Sequence, residues 1–161
     1  MSKAVKPIPE GYHTVTPHLV LSDCSKALKF YAAAFGATVT EEMCTDDKRI
    51  IHAEMKIGDS VIMMCDEFPE MGNKSPLTLG GSPQSLFLYC EDVDKSFKQA
   101  VDAGCEVTMP LGDMFWGDRY GRLKDPFGHE WALGMHIEDL TSEEIKKRGA
   151  EFMKKPASVA K

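Results

Sequence analysis

The fold is decided by a stretch of sequence that occurs twice. Asp23-Cys-Ser-Lys26-Ala-Leu28-Lys29, closing at Gly36-Ala-Thr-Val39-Thr40, returns as Asp92-Val-Asp-Lys95-Ser-Phe97-Lys98, closing at Gly104-Cys-Glu-Val107-Thr108. The copies are offset by about 69 residues, with one residue of slippage before the glycine. Two copies of one supersecondary unit predict one domain whose site lies where the copies meet.

The first copy predicts the order βαβββ. Asp23 is a good N-cap, and Gly36 ends a helix of about three turns. Before it, the alternation from Thr14 to Leu21 predicts a strand with Val15, Leu19 and Leu21 on the core side. After it, β-favouring residues and turn signals predict strands at 38–45, 50–57 and 60–65.

The second copy repeats this plan. A helix capped by Asp92 and ended by Gly104 lies among predicted strands at 85–90, 105–111, 120–124 and 129–135. Gly, Pro and Ser mark 68–83 as a linker, and the capping box Thr141-Ser-Glu-Glu144 opens a C-terminal helix at about 141–154. We expect one α+β domain over 1–161, with module one at about 11–67 and module two at about 84–137.

Composition excludes several classes of protein. The chain has 161 residues, is 43% hydrophobic and carries a net charge of -6, with acids and bases interspersed. The acidic balance disfavours nucleic acid and anionic membrane as partners, and no apolar run is long enough to span a bilayer. Five cysteines without C-x-x-C spacing indicate reduced thiols. We expect a soluble, cytoplasmic protein.

Several motifs carry a family resemblance. Paired βαβββ modules, a helix ending in Phe35-Gly-Ala, and Asp125-Pro-Phe-Gly-His before the last strand resemble the vicinal oxygen chelate superfamily of glyoxalases, extradiol dioxygenases and bleomycin or fosfomycin resistance proteins. Thr16-Pro-His-Leu-Val-Leu, His52-Ala-Glu-Met and Met114-Phe-Trp-Gly-Asp-Arg-Tyr-Gly-Arg resemble its PhnB-like branch. The resemblance implies eight strands forming a half-open cup around a small-molecule ligand, with helices outside, commonly in a homodimer.

In metal-using members of that superfamily, the ligands come from the first and last strand of each module. The matching positions in this chain are Thr16, Met63, Ser85 and Ala132. Divalent ions in such sites prefer imidazole nitrogen and carboxylate oxygen, which these four residues do not offer. We therefore expect no metal at the usual positions and no other cofactor.

A shifted metal site is the alternative. His18 shares a face with Thr16, and His52 shares a face with Glu54 on another strand of module one. His18, His52 and Glu54 could hold a divalent metal, with Glu130 offered from module two. In that case Glu54 and Glu130 are the weak candidates for a catalytic proton-transfer role.

Candidate ligand-binding residues are mostly aromatic. Trp116, Arg119 and Tyr120 follow one another in a Gly-flanked segment that suits a lid over a planar or anionic ligand. Phe87 and Tyr89 continue this lining, and His18 and His52 add polar groups. In the competing interpretation Trp116 plugs the apolar end of the cup, Arg119 pairs with Asp118 or Glu130, and the other aromatic residues pack in the core.

Two classes of function remain. The first is a metal-independent binder of an aromatic or anionic small molecule, similar to the bleomycin resistance proteins, which sequester an aromatic or cationic drug. The second is a metal-dependent lyase, isomerase or dioxygenase using the shifted His and Glu set. A methyltransferase activity is also attributed to PhnB-like proteins, but this chain has no nucleotide-cofactor motif.

Overall fold

The computed structural model describes residues 5–154 and contains the two predicted βαβββ copies. The ends of the predicted domain, 1–4 and 155–161, lie outside the described residues. The helices are α1 (Cys24–Phe35), α2 (Pro76–Leu79), α3 (Val93–Ala103) and α4 (Ser142–Lys154). The strands are β1 (His18–Leu21), β2 (Thr38–Cys44), β3 (Ile50–Ile57), β4 (Ser60–Asp66), β5 (Ser85–Tyr89), β6 (Glu106–Asp113), β7 (Asp118–Lys124) and β8 (Glu130–His136).

The two repeated helices begin in the same way. The Asp23 carboxylate accepts a hydrogen bond from the backbone N–H of Lys26, and Asp92 accepts the equivalent bond from Lys95. Both bonds satisfy an N–H group that the first helical turn leaves without a partner. At the other end of α1, Gly36 adopts φ 66°, a left-handed conformation that glycine takes without a Cβ clash.

The eight strands form two four-stranded sheets. Their orders are β1-β4-β3-β2 and β5-β8-β7-β6, so that the same topology occurs twice. In each sheet the first strand lies parallel to the last strand of its module and occupies an edge. This is the predicted α+β architecture, and the edge strands β1 and β5 of the two modules lie near each other, since residues of both line one cavity.

The modules are joined by helix packing, by an aromatic contact and by polar contacts. Helices α1 and α3 contact each other, and the Gln99 side chain donates a hydrogen bond of 2.7 Å to the Ala33 carbonyl. His129 lies 3.1 Å through Nε2 from the Val20 carbonyl on the β1 edge. The buried aromatic side chains Tyr31 and Trp131, one from each module, contact each other at 5.4 Å between ring centroids. One apolar core therefore serves both copies.

The first strand is shorter than predicted. It starts at His18, and Val15 is 81% exposed instead of facing the core with Leu19 and Leu21. Thr16 turns back to donate a hydrogen bond to the His13 carbonyl, and Pro17 has no N–H for a strand ladder. The alternation from 14 to 17 was a wrong indication of strand.

The predicted linker is partly ordered into helix. It contains a 3-10 turn at Pro69–Met71 and the short helix α2, which Ser75 caps through the backbone N–H of Thr78. Across residues 5–154 there is no helix of the length and apolarity needed to cross a membrane.

Candidate functional site

Each sheet has one face covered by helices and one open face. Along β4, Ile62 and Met64 are buried against the helices, so Val61, Met63 and Cys65 point to the open face. Two cavities flank the seam between the edges β1 and β5. One of about 640 Å³ includes Phe87 and Tyr89, and one of about 520 Å³ includes His18, Ser85 and Glu130. Both volumes lie in the range of small-molecule sites.

The open face of module one carries a polar cluster. His52 Nε2 lies 3.1 Å from Glu54 Oε1, and the Tyr12 hydroxyl donates a hydrogen bond to Glu54 Oε2. Glu54 is only 6% exposed although it is a carboxylate. One ligand atom each from Glu41, His52 and Glu54 lies within 4.8 Å of the others. An imidazole with two carboxylates can hold a divalent cation.

Glu41 takes the place that we predicted for His18. It is the register partner of Glu54 in the β2–β3 pair, so two carboxylates lie side by side. The sequence alone did not show this pairing, because it depends on the register of the hairpin. His18 lies near enough to interact electrostatically with this cluster. Partial desolvation lowers the pKa of His18, and the neighbouring His52 lowers it further. The pKa of Tyr12 is raised, chiefly by its hydrogen bond to Glu54.

The four positions at which metal-using relatives have ligands do not fit a metal. Met63 is half-buried, Ser85 is exposed and Ala132 is buried, whereas Thr16 precedes β1. Their thioether, hydroxyl and methyl groups are not the imidazole and carboxylate ligands of a divalent ion. We derive no metal chemistry from these positions.

The open face of module two carries a row of aromatic side chains. The ring of Phe87 lies 4.7 Å from that of Tyr89 and stacks on Tyr120 at 5.7 Å. Trp116 meets Tyr120 edge to face at 5.5 Å. Of these residues, Tyr89 is 70% exposed and Phe87 is 43% exposed. We call Phe87, Tyr89, Trp116 and Tyr120 the aromatic row.

A buried carboxylate next to the aromatic row orients two of its side chains. Asp118 is 5% exposed and accepts hydrogen bonds from the Tyr89 hydroxyl at 3.3 Å and from Trp116 Nε1 at 3.1 Å. His136 Nδ1 lies 2.8 Å from the same carboxylate, and its Nε2 lies 3.0 Å from Asp139. The hydrogen bond to Asp118 is the main cause of a raised pKa of His136, and the hydrogen bond to Asp139 raises this pKa further. Sequence reasoning missed Asp118 as the group that orients the aromatic row.

The predicted lid is a turn held at both ends. Met114 donates a backbone hydrogen bond to Asp118, and Gly117 donates one to Met114. Phe115 beside them packs against Phe152 of α4 at 5.3 Å. Trp116 therefore has a fixed position at one end of the aromatic row.

Arg119 is not brought to the aromatic row. Its guanidinium donates hydrogen bonds to Asp94 of α3 and to Asp113. The predicted partners were Asp118 and Glu130. Arg122 instead shares the open face with Tyr120, because strand side chains alternate. Its Nη2 lies 3.8 Å from Glu130 Oε2. The spacing of Tyr120 and Arg122 was the sequence signal that could have identified Arg122.

Comparison with known proteins agrees with this architecture. The family model of the Glyoxalase/Bleomycin resistance protein/Dioxygenase superfamily matches residues 12–133. The uncharacterized protein Rv0887c of Mycobacterium tuberculosis is 41% identical over 135 residues, which cover 82% of this chain and 79% of that protein.

Solved structures share the fold at low sequence identity. The Bacillus cereus PhnB protein, described as a putative 3-demethylubiquinone-9 3-methyltransferase, has a TM-score of 0.58 and 20% identity, covering 76% of this chain and 99% of its own. A point mutant of the Listeria monocytogenes fosfomycin resistance protein FosX, complexed with Mn(II) and a dihydroxypropylphosphonic acid, has a TM-score of 0.59 and 18% identity, covering 85% of this chain and 97% of its own. The chain thus has PhnB-like structural neighbours and belongs to the glyoxalase/bleomycin resistance protein/dioxygenase superfamily.

Proposed function

We propose that this protein binds a planar aromatic small molecule against the aromatic row, without a metal at the usual positions of the family. The observation that carries the proposal is the exposure of Tyr89 and Phe87, at 70% and 43%, beside a cavity of about 640 Å³. Large aromatic side chains facing solvent next to a cavity are typical of a ligand site.

The row is organised before any ligand arrives. Asp118 holds the hydroxyl of Tyr89, and Tyr120 supports the ring of Phe87 from one side. A stacking surface with fixed rings loses little conformational entropy when a ligand binds. This favours a binding protein whose affinity comes from stacking.

A neutral aromatic dye tests this proposal. N-phenyl-1-naphthylamine, which fluoresces in apolar sites, should bind the wild type with about one dye per chain. Tyr89→Ala should weaken binding by about 1 kcal/mol, close to fivefold, because one stacking ring is lost. Phe152→Ala is the control, since it removes a 51% exposed aromatic ring outside the row. Equal losses in the two variants, or no binding by the wild type, would refute the proposal.

A second function is favoured by the polar cluster of module one. Glu41, His52 and Glu54 support a metal-dependent lyase, isomerase or dioxygenase, in which the metal would polarise neighbouring oxygens of the substrate. Glu54 would have to exchange its contacts with Tyr12 and His52 for the ion. The predicted proton-transfer role of Glu130 belongs to this second proposal.

Titration with Mn²⁺ and Zn²⁺ separates the two functions. Calorimetry should show one site per chain if the cluster binds metal, and His52→Ala should remove that site, whereas His13→Ala should leave it intact. Protein purified without added metal should then contain near-stoichiometric ion. An absence of binding at millimolar metal would exclude this second function and leave the first unaffected.

The assembly is part of the same proposal. We propose a cytoplasmic homodimer that takes a small-molecule ligand and binds neither nucleic acid nor membrane. Light scattering after size exclusion, at several concentrations, should give twice the chain mass. A monomer mass throughout would refute the dimer.

A further inference from the structure

The strand that carries Tyr120 places one guanidinium on the open face of module two. In β7, Tyr120 is the register partner of Gly134, and Arg122 is the register partner of Ala132. Both partners are small, so neither side chain of β8 rises above the sheet at these points. Arg122 is therefore the neighbour of the aromatic row along the strand.

The four arginines of the chain differ in how their donors are used. Arg49 and Arg148 each donate two hydrogen bonds, and Arg119 donates three. Within residues 5–154, Arg122 donates none, and its Nε is shielded from solvent without an acceptor. Buried polar groups in folded proteins nearly always have a partner, so this exception needs an explanation.

The rest of the Arg122 side chain can be reached from outside. The side chain as a whole is 43% exposed although Nε is shielded. Among the described residues, Glu130 has the one carboxylate oxygen within 4.0 Å of the guanidinium. Its Oε2 lies 3.8 Å from Nη2, which is too long for a hydrogen bond. Glu130 also lines the cavity of about 520 Å³ at the seam. Nη2 thus lies beside a residue that lines a cavity, and the guanidinium of Arg122 donates no hydrogen bond within the described chain.

We propose that Arg122 binds the oxyanion of an aromatic acid whose ring lies on the aromatic row. This inference rests on the proposed function and specifies the chemical class of its ligand. The planar fork of a guanidinium donates two parallel hydrogen bonds to a carboxylate, sulfonate or phosphonate group. An oxyanion there supplies the acceptors that the chain itself does not provide.

Two dyes that differ in one group test the inference. N-phenyl-1-naphthylamine and 8-anilino-1-naphthalenesulfonate share their rings, and only the second carries an oxyanion. The wild type should bind the sulfonate more tightly than the neutral dye. Arg122→Gln should weaken the sulfonate by about tenfold or more while changing the neutral dye by less than about twofold, because a charge-assisted hydrogen bond is lost.

Two further variants make the test specific. Arg119→Gln is the matched control, since its guanidinium lies on the same strand but is paired with Asp94 and Asp113. It should leave the ratio of the two affinities unchanged. Glu130→Gln should strengthen the sulfonate, because it removes the carboxylate that faces Arg122.

The outcomes separate the two proposals. If neither dye binds the wild type, the proposed function fails and the role of Arg122 fails with it. If both dyes bind and Tyr89→Ala weakens both, the proposed function stands. In that case, two results would overturn the oxyanion site alone. One is an equal effect of Arg122→Gln on the affinities for the two dyes. The other is an effect of Arg119→Gln on the ratio of these affinities as large as that of Arg122→Gln.

Discussion

Asp125 joins the two modules through a set of buried hydrogen bonds. It is 4% exposed, and its Oδ2 accepts from the Tyr31 hydroxyl at 2.7 Å and from Trp131 Nε1 at 2.8 Å. Its Oδ1 accepts from the backbone N–H groups of Phe127 and His129, at 2.9 Å each. Tyr31 belongs to α1 of module one, so one carboxylate of module two orients side chains of both copies.

Asp125→Ala should therefore cost much of the stability of the fold. It leaves four donors without their acceptor, and an unpaired buried donor costs about 1–3 kcal/mol. All four donors belong to buried residues, and the Tyr31 hydroxyl and the Trp131 indole lie in the core. We expect a loss of at least about 3 kcal/mol, against a total of about 5–15 kcal/mol for a typical domain.

Urea unfolding measures this loss of stability, followed by near-ultraviolet circular dichroism, which reports the packing of the aromatic side chains. Asp23→Ala is the matched control, because it removes an exposed helix cap that is worth about 1 kcal/mol. Tyr31→Phe should lower the free energy of unfolding by about 1 kcal/mol, since it removes one hydrogen bond. If Asp125→Ala destabilises the protein no more than Asp23→Ala does, Asp125 does not hold the modules together as we argue.

Two further predictions concern the open faces. In an NMR titration His136 should titrate above, and His18 below, the ordinary histidine pKa of about 6.5, and Asp118→Asn should lower the value for His136. Because the pKa of His136 is raised in the folded protein, the stability that protonated His136 contributes is complete below about pH 6.5 and is lost as the pH rises through the folded pKa. A difference in stability between wild type and His136→Ala that does not change with pH would contradict this. Gly134→Ala places a Cβ 2.6 Å from Cζ of Phe87, so it should push that ring away from Tyr120. Binding of N-phenyl-1-naphthylamine should then weaken by about 0.5–1.5 kcal/mol, while unfolding stays cooperative. An unchanged dye affinity would show that the stacked rings of Phe87 and Tyr120 are not part of the site.

Local signals in the sequence were enough to predict the repeated architecture. The caps at Asp23 and Asp92 and the terminating Gly36 depend on neighbours within one helical turn, and the structure places all three as expected. The first strand was extended too far because alternation alone cannot tell a strand from an extended turn. Pro17 was the local sign that a paired strand does not continue there.

The site was harder to predict because it depends on register between strands. Glu41 meets Glu54 only through the pairing of β2 with β3, and that pairing contains a bulge between Val39 and Glu41. Arg119 was predicted to line the site because the strand was predicted to begin at 120, which left Arg119 in a loop, and Arg122 was not considered. With β7 starting at Asp118, alternation assigns Arg119 to the helix side and Arg122 to the open side.

The duplication also lets the two open faces be compared position by position. Met63 and Ala132 occupy matching places, and their register partners are His18 and Phe87 on the first strands and Glu54 and Arg122 on the third. Two residues before Glu54 stands His52, and two before Arg122 stands Tyr120.

The same three positions therefore carry two imidazoles and a buried carboxylate in one copy, and two aromatic rings and a guanidinium in the other. A backbone that is repeated almost unchanged thus presents groups suited to a cation on one side of the seam and groups suited to an aromatic anion on the other. Glu54 and Arg122 have side chains of opposite charge type at equivalent positions. A single ligand lying across the seam would therefore meet an acidic group at one end and a basic group at the other, instead of a symmetric pocket. This asymmetry explains why the fold, which both copies share, could be predicted from the repeat, whereas the side chains of each open face differ and have to be considered copy by copy.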